Sequence, residues 1–232
     1  MLRRRDLPVS ERAPISARDV TVVIPCMNEA GSLPGVLAAV PRDYRTVVVD
    51  NNSTDDTAAV AGTHGATVVW EPVPGYGAAV HSGVLAAQTP VVCVLDGDGS
   101  MNPGELPRLV SALESGADLA VGRRRADRRG TWPLHSRIGN AVVAARLRRR
   151  YGLPVHDLGA MRAVRRQDLL ALGVDDRRSG YPLQLLVLAG RAHWRVVERD
   201  ITYRPRTAGA SKVSGSLKGT VVAVHDFWKV IG

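Results

Sequence analysis

The sequence predicts an α/β fold built on a mostly parallel sheet with helices on both faces. Three observations predict it. Short apolar runs rich in Val and Ile recur between residues 20 and 122, segments of helical character separate them, and a polar stretch rich in Gly, Asn or Asp follows each of the first four runs. Runs that are apolar throughout, rather than alternating, belong to strands covered on both faces, and regular strand–helix alternation makes neighbouring strands parallel.

Taken in order, Thr21–Pro25 is a β-branched run ending at a proline, and Leu33–Val40 follows as a helix. Thr46–Val49 is a second buried strand, and Ser53-Thr54-Asp55-Asp56 caps a helix running through Ala58, Ala59 and Val60. Ala66–Trp70 and Gly77–Ala87 form the third strand and helix, Val91–Leu95 and Glu105–Glu114 the fourth pair, and Leu119–Val121 a fifth strand. Beyond residue 122 the pattern changes to an Arg-rich, Pro-broken stretch with a helix over Ser136–Arg150. A further helix covers 181–190 and a strand Trp194–Glu198. A tail over Ser211–Val230 places Val213, Leu217, Val221, Val224 and Trp228 on roughly one face. Residues 1–19 read as a flexible basic N-terminal extension and 20–232 as one unit, with the second half an extension of the first.

The 232 residues carry a formal charge of +9, concentrated in Arg3–Arg5, Arg123–Arg125, Arg128-Arg129 and the arginines between 146 and 150. Such an excess points to a polyanionic partner: nucleic acid, nucleotide phosphates or an anionic membrane. With aromatic residues at 4% and no recognition motif, nucleic acid is not expected as the partner. No run approaches 18 apolar residues, and the N-terminal arginines lack a following apolar stretch, so neither a membrane span nor a signal peptide is expected. Cys26 and Cys93, both in apolar strand-like runs, read as small buried thiols. That fits a reducing, cytoplasmic setting, with peripheral contact at the inner face of the membrane through amphipathic Arg-bearing segments.

Parallel sheets of this kind bind ligands beyond the carboxyl ends of their strands, so the polar stretches are the candidate site. Asp96-Gly97-Asp98 follows the fourth strand. Two carboxylates two residues apart on a turn can reach one divalent cation, with Gly97 letting the backbone bend. Oxygen ligands suit Mg²⁺ or Mn²⁺ shared with substrate phosphates. Asp50, at the end of the second strand, can accept hydrogen bonds from a nucleobase or ribose, as can Asn28-Glu29 after the first. Gly75-Tyr76-Gly77 brings backbone amides to a helix N-terminus, a natural place for a diphosphate.

These blocks together carry a resemblance. Val22 to Glu29, Val48 to Asp55, Gly75 to Ala79 and Leu95 to Asp98 resemble the family 2 glycosyltransferases, and within them the dolichyl and polyprenyl-phosphate sugar synthases. The resemblance implies a GT-A fold, a UDP- or GDP-linked sugar donor, Mg²⁺ or Mn²⁺ as cofactor, and inversion at the anomeric carbon. It implies a nucleotide-sugar half over 20–122, with Pro25, Asn28, Glu29, Asp50, Asn52, Gly75, Gly77, Asp96 and Gly97 binding the donor. Asp96 and Asp98 would hold the metal and diphosphate.

Over 123–232 the match is looser. Asp157 to Arg162 is similar to the family's Asp-x-x-Ser-Gly-Phe-Arg stretch, departing from it at Gly159 and Met161, and Gln184 stands where a Glu is common. Arg206 to Lys212 is similar to its Arg-x-x-Gly-x-Ser-Lys loop. The resemblance then implies an acceptor-phosphate set of Arg123, Arg137, Arg206, Ser211 and Lys212. Arg123 follows Gly122 and Arg137 follows Ser136, while three tandem arginines at 123–125 leave the register open. Sugar hydroxyl acceptors need a general base, whereas a phosphate oxygen is already anionic and needs cations. The Arg excess therefore leans towards polyprenyl phosphate or another phosphorylated acceptor. Asp157 is the best carboxylate for a base, with orientation of Arg162 an equal alternative. The candidate catalytic set is Asp98, Asp157, Arg123 and Arg137. A soluble phosphorylated or natural-product acceptor, a nucleic-acid-binding module and a nucleotidyltransferase are the competing readings; the order of the Asp50 block and Asp-Gly-Asp disfavours the last.

Overall fold

The computed structural model describes residues 14–128, 131, 132 and 134–207. Residues 1–13 of the expected N-terminal extension, the amphipathic tail, Ser211 and Lys212 lie outside the described residues.

The first half forms as its pattern demands. Strands β1 (Val20–Cys26), β2 (Arg45–Asp50), β3 (Thr67–Trp70) and β4 (Val91–Val94) alternate with helices α1 (Leu33–Ala39), α2 (Thr57–Thr63) and α3 (Tyr76–Ala86). A 3-10 turn at Pro103–Glu105 leads into α4 (Leu106–Glu114), and β5 (Leu119–Ala126) follows. Val22, Val23, Ile24, Val48, Val49, Val92 and Cys93 are fully buried, as expected of strands covered on both faces.

The second half contributes α5 (Leu134–Tyr151), β6 (Arg162–Arg165), α6 (Arg166–Leu172), α7 (Tyr181–Arg191) and β7 (Val196–Tyr203). Its strands join the same sheet, in the order β3-β2-β1-β4-β6-β5-β7. All neighbours are parallel except at β6, which runs antiparallel to both β4 and β5. Neither β6 nor α6 was expected from the sequence, because Arg-Ala-Val-Arg offers only two apolar residues between charges. Yet Ala163 and Val164 are buried and bridge the two halves of the core. β7 starts two residues later than the predicted strand and runs five further, delivering Arg204–Arg206 to the same end of the sheet as the first-half loops.

The two thiols are buried, and burial pushes Cys93 up to about 12.

Candidate active site

The loops after β1, β2 and β4 are knitted to one another by hydrogen bonds. The Ser32 hydroxyl donates to the Gly97 carbonyl (2.8 Å), the Glu29 amide donates to the Thr57 hydroxyl (2.9 Å), and the Asn51 amide donates to the Cys26 carbonyl (2.8 Å). The Gly75 amide donates to Asn51 Oδ1 (2.8 Å), bringing in the loop before α3. Together they bound a cavity of 460 Å³, a size suited to a small-molecule ligand. Pro25, Glu29, Gly75, Asp96, Gly97 and Asp98 line it from the first half, and Arg124, Leu158, Tyr203 and Arg206 from the second.

Asp96 and Asp98 are the chemical centre of this cavity. Burial, then the neighbouring Asp98 charge, pushes Asp96 up to about 7, against the opposing pull of Arg124, Arg206 and Arg162. Asp98 is 3% exposed; its Oδ1 accepts from the Ser100 amide (2.9 Å) and its Oδ2 meets Arg206 Nη2 at 3.1 Å. Arg206 Nη1 lies 3.9 Å from Glu29 Oε1, so one guanidinium spans two cavity carboxylates. Among the described residues no group of three His, Cys, Asp or Glu side chains is arranged to hold a cation. Two carboxylates without a third protein ligand suit a Mg²⁺-type ion that completes its shell with water and substrate phosphates. A carboxyl that resists ionisation because it is buried beside a second carboxylate is what such an ion would relieve. Asp96 and Asp98 therefore fit a metal brought in with a diphosphate.

Gly97 serves differently from the expectation that it bends the turn. Its φ is not left-handed; a Cβ there would lie 2.7 Å from the Cys26 Sγ, so glycine is required by close packing against β1. The left-handed residue is Gly99, at φ 74°.

The glycines before α3 also correct an expectation. The Gly77 and Ala78 amides donate to the Arg178 and Arg177 carbonyls (3.0 and 2.8 Å), and the Gly75 amide to Asn51. These donors are committed to protein acceptors, so they are not a diphosphate cradle. A Cβ on Gly75 would sit 2.2 Å from the Arg177 carbonyl oxygen, and one on Gly77 2.2 Å from that of Asp176. The glycines admit the 176–178 segment against α3. Gln184 secures the far side of that segment, its Oε1 accepting from the Asp175 and Asp176 amides.

Asp50, Asn28 and Asn52 hold the loops and do not line the cavity. Asp50 Oδ1 accepts from the Ser53 amide (2.9 Å), and Asn28 Oδ1 from the Thr54 amide (2.7 Å). Asn28 and Asn52 both take positive φ, at 56° and 66°, which Asn tolerates better than most residues. The α2 N-cap is Asp56 without a side-chain cap; Asp55 Oδ1 instead accepts from the Thr57 amide (3.1 Å).

On the second-half side, strand alternation decides which arginine faces the cavity. Arg124 lines it, while Arg123 and Arg125 point to the opposite face and pair with Asp200, Arg123 also with Glu198 (3.9 Å). The expected assignment of Arg123 to the site is thus corrected to Arg124. Spacing of the Gly122-Arg123-Arg124 triplet, with period-2 alternation, was the signal that could have found it. Arg137 is exposed on the first turn of α5 and does not line the cavity.

Asp157 is not placed as a base. It is 2% exposed and absent from the cavity wall, and Arg124 occupies both its oxygens: Nε to Oδ2 at 2.8 Å and Nη2 to Oδ1 at 2.7 Å. The Arg124 amide adds a third bond to Oδ2 (2.8 Å). Burial works against the Arg124 charge, but the hydrogen bond and charge of Asp157, with Tyr203 and Asp96, together outweigh it and raise the arginine pKa. The guanidinium also lies 4.0 Å from the Trp132 ring centroid and 5.3 Å from that of Tyr203. Asp157 therefore orients Arg124 and not, as the sequence alternative had it, Arg162. Arg162 is itself 2% exposed, donates from Nη2 to the Leu158 carbonyl (3.1 Å), and has its pKa lowered by burial. Arg124, Asn51 and Tyr203 line the cavity, and sequence reasoning gave none of them a role of its own.

Among the described residues no helix is long and apolar enough to cross a membrane. In sequence the chain is 64% identical, over 91% of its length and 97% of the relative's, to an uncharacterised glycosyltransferase of Mycobacterium tuberculosis. It is 32% identical to a dolichyl-phosphate hexose transferase of Haloferax volcanii, over 88% of this chain and 90% of that one. In structure it is similar to glucosyl-3-phosphoglycerate synthase from Mycobacterium tuberculosis in complex with Mn²⁺, UDP and glucosyl-3-phosphoglycerate. That match has a TM-score of 0.73 at 19% identity, covering 99% of this chain and 86% of that one, and it supports the GT-A fold. Residues 21–173 match the model of the family described as Glycosyl transferase family 2. With the strand-end carboxylates and knitted loops inside that span, the chain belongs to the family 2 glycosyltransferases.

Proposed function

We propose that the chain transfers a sugar from a UDP- or GDP-linked donor to the phosphate of a polyprenyl phosphate. Transfer inverts the anomeric carbon, with Mg²⁺ or Mn²⁺ held by Asp96 and Asp98. The observation that carries this reading is the pairing, in one cavity, of two strand-end carboxylates with two arginines from the second half, Arg124 and Arg206. The only other carboxylate lining the cavity among the described residues is Glu29, which accepts from the Ser32 hydroxyl and faces Arg206. A site so furnished suits an acceptor that arrives already anionic.

In the transfer, an oxygen of the acceptor phosphate attacks the anomeric carbon. The bond from that carbon to the donor diphosphate breaks, and its electron pair leaves with the diphosphate. No proton has to be removed, so no base is required. A bound divalent cation supplies neutralisation of the leaving diphosphate. The Ser100 amide fixes the Asp98 carboxylate, and Asp157 holds the Arg124 fork rigid against Trp132 for bidentate contact with phosphate. Arg206 lies between Asp98 and Glu29, and were a cation held by Asp98 its guanidinium would be available to an acceptor phosphate.

The dolichyl-phosphate hexose transferase relative supports the lipid-linked acceptor. A second reading, a phosphorylated small-molecule acceptor, is supported by the fold neighbour that holds glucosyl-3-phosphoglycerate. Both use the same arginines. The test offers radiolabelled UDP- and GDP-sugars with Mn²⁺ to the purified chain, together with polyprenyl phosphate in detergent or with 3-phosphoglycerate. Label entering the organic phase only with polyprenyl phosphate is the expected result. Label transferred only to the water-soluble acceptor selects the second reading, and donor binding without transfer to either acceptor refutes both.

A further inference from the structure

Helix α5 has two apolar faces. Ala144 and Leu147 are fully buried, and Val143 and Tyr151 pack against the same core. The opposite face carries Leu134, Ile138 and Val142, which are 69%, 57% and 64% exposed. Their four-residue spacing sets them in one stripe along the helix. The 18-residue helix also carries five arginines, at 137, 146, 148, 149 and 150, and no Asp or Glu. At 3.6 residues per turn Arg149 falls on the outer face, with Arg137 and Arg146 on its two margins.

Single exposed aliphatic side chains are ordinary, but three in register on a helix whose other face is already buried are not. Among the described residues the other run of exposed apolar side chains, Val68, Trp70 and Val73, flanks the carboxylate of Glu71 at the β3 edge of the sheet, so it has an acid at its centre. An aliphatic stripe margined by arginine and free of acids is complementary to a surface that is apolar beneath and anionic above.

The stripe is also tied to the cavity. Asn140, on α5, accepts from the Leu158 amide (3.0 Å) and donates to the His156 carbonyl (3.2 Å), and Leu158 lines the cavity. Trp132, two residues before the helix, stacks on Arg124. Whatever α5 rests on is thereby held beside the arginine side of the site.

We propose that the outer face of α5 docks the chain on an anionic phospholipid bilayer. The helix lies in the interfacial plane, with Leu134, Ile138 and Val142 among the acyl chains and the arginines at headgroup level. The proposal rests on the lipid-linked acceptor reading for its purpose, while the surface stands on the stripe and its charge.

The test is flotation of the full chain, without substrates, on vesicles of phosphatidylcholine alone or with 40% phosphatidylglycerol. The expected result is binding to the anionic vesicles and little to the neutral ones. Binding should fall about tenfold or more in Ile138→Glu/Val142→Glu, since both apolar anchors are replaced by charge. It should fall about thirtyfold in Arg146→Gln/Arg149→Gln, and remain unchanged in Trp70→Glu. No flotation of the wild type, or equal flotation of Ile138→Glu/Val142→Glu, overturns the proposal. So does a lower melting midpoint of that double variant in vesicle-free buffer, which would mean that another segment of the chain covers the stripe. A dimer that Ile138→Glu/Val142→Glu dissolves would assign the face to a second copy instead. Transfer to detergent-dispersed polyprenyl phosphate, measured alongside, separates the two readings. Transfer without flotation removes the docking face alone, and flotation without transfer removes the acceptor reading alone.

Discussion

Residues 20–122 and 123–207 build their shares of the cavity by different physics. In the first half, side chains at strand ends are fixed by neutral backbone donors: the Ser53 amide on Asp50, the Thr54 amide on Asn28, the Ser100 amide on Asp98. In the second half the fixing is ionic: Asp157 holds Arg124 at the cavity, while on the other face of β5 Glu198 and Asp200 hold Arg123 and Arg125. A carboxylate gripped by backbone amides has a direction set by the fold, which suits a constant ligand such as a metal diphosphate. An arginine held by a carboxylate keeps donors that can be shared with an arriving phosphate, and its partner can be altered without disturbing the sheet. The difference suggests that donor recognition is the rigid property of this molecule and acceptor recognition the adjustable one.

The largest effect should come from the rigid side. Asp98→Ala removes a proposed metal ligand and leaves Arg206 without its 3.1 Å partner. Transfer should fall about a thousandfold, the scale of losing a preorganised electrostatic group. Circular dichroism should show the sheet intact. Retention of more than a tenth of wild-type activity at saturating Mn²⁺ would break the assignment of the donor site to the first half.

On the adjustable side, Asp157→Asn separates a base from a positioning residue. The substitution weakens the two-point grip on Arg124 and should raise the acceptor KM about thirtyfold, the scale of one charged hydrogen bond. The donor KM and the shape of the pH–rate profile should stay as in the wild type. Loss of the acidic limb of that profile, with kcat collapsing, would restore Asp157 as the base.

How much of this was legible in the sequence follows the same division. The strand-end positions of Asp50, Asp96 and Asp98 could be read because a parallel sheet orders its loops along the chain, one after each strand. Strand β6 could not, since Arg162–Arg165 is short, charged at both ends and inserted antiparallel between two strands that are otherwise part of a parallel series. The glycines at 75 and 77 were visible but their reason was not. They make room for carbonyls at 176–178, a hundred residues away, which no local pattern records. The tandem arginines needed a register, and β5 pairing with β7 supplies it by setting Arg123 opposite Asp200 and turning Arg124 the other way.

A smaller effect tests the charge balance at the centre. Asp96 is raised from 3.8 to about 7, so between those values the folded chain binds more protons than the unfolded one. Its ionisation therefore costs stability progressively as pH rises from 3.8 to about 7, and the cost is constant above that. A divalent cation held by Asp96, as proposed, would favour the ionised form and offset this cost. Added Mn²⁺ should raise the melting midpoint by several degrees at pH 8 and by much less at pH 5.5. An equal rise at both values would mean that the cation binds elsewhere.

The smallest expected effect is the sharpest test of the boundary between the halves. Arg123 and Arg124 are adjacent and chemically identical, and only the pleat of β5 separates their roles. Arg123 meets Glu198 and Asp200 at 3.9 and 4.0 Å on the face away from the cavity, and its side chain is 30% exposed. Pairs of this length and exposure contribute about 1 kcal/mol or less. Arg123→Ala should therefore leave kcat/KM for both substrates within about twofold and lower stability by no more than that amount. Arg124→Lys keeps the charge but loses the fork, and should raise the acceptor KM at least tenfold, without changing the donor KM. If Arg123→Ala raised the acceptor KM as much as Arg124→Lys, phosphate would be reached from both faces of β5. The acceptor site would then extend beyond the cavity, around the strand to the groove where Arg108 and His156 also lie.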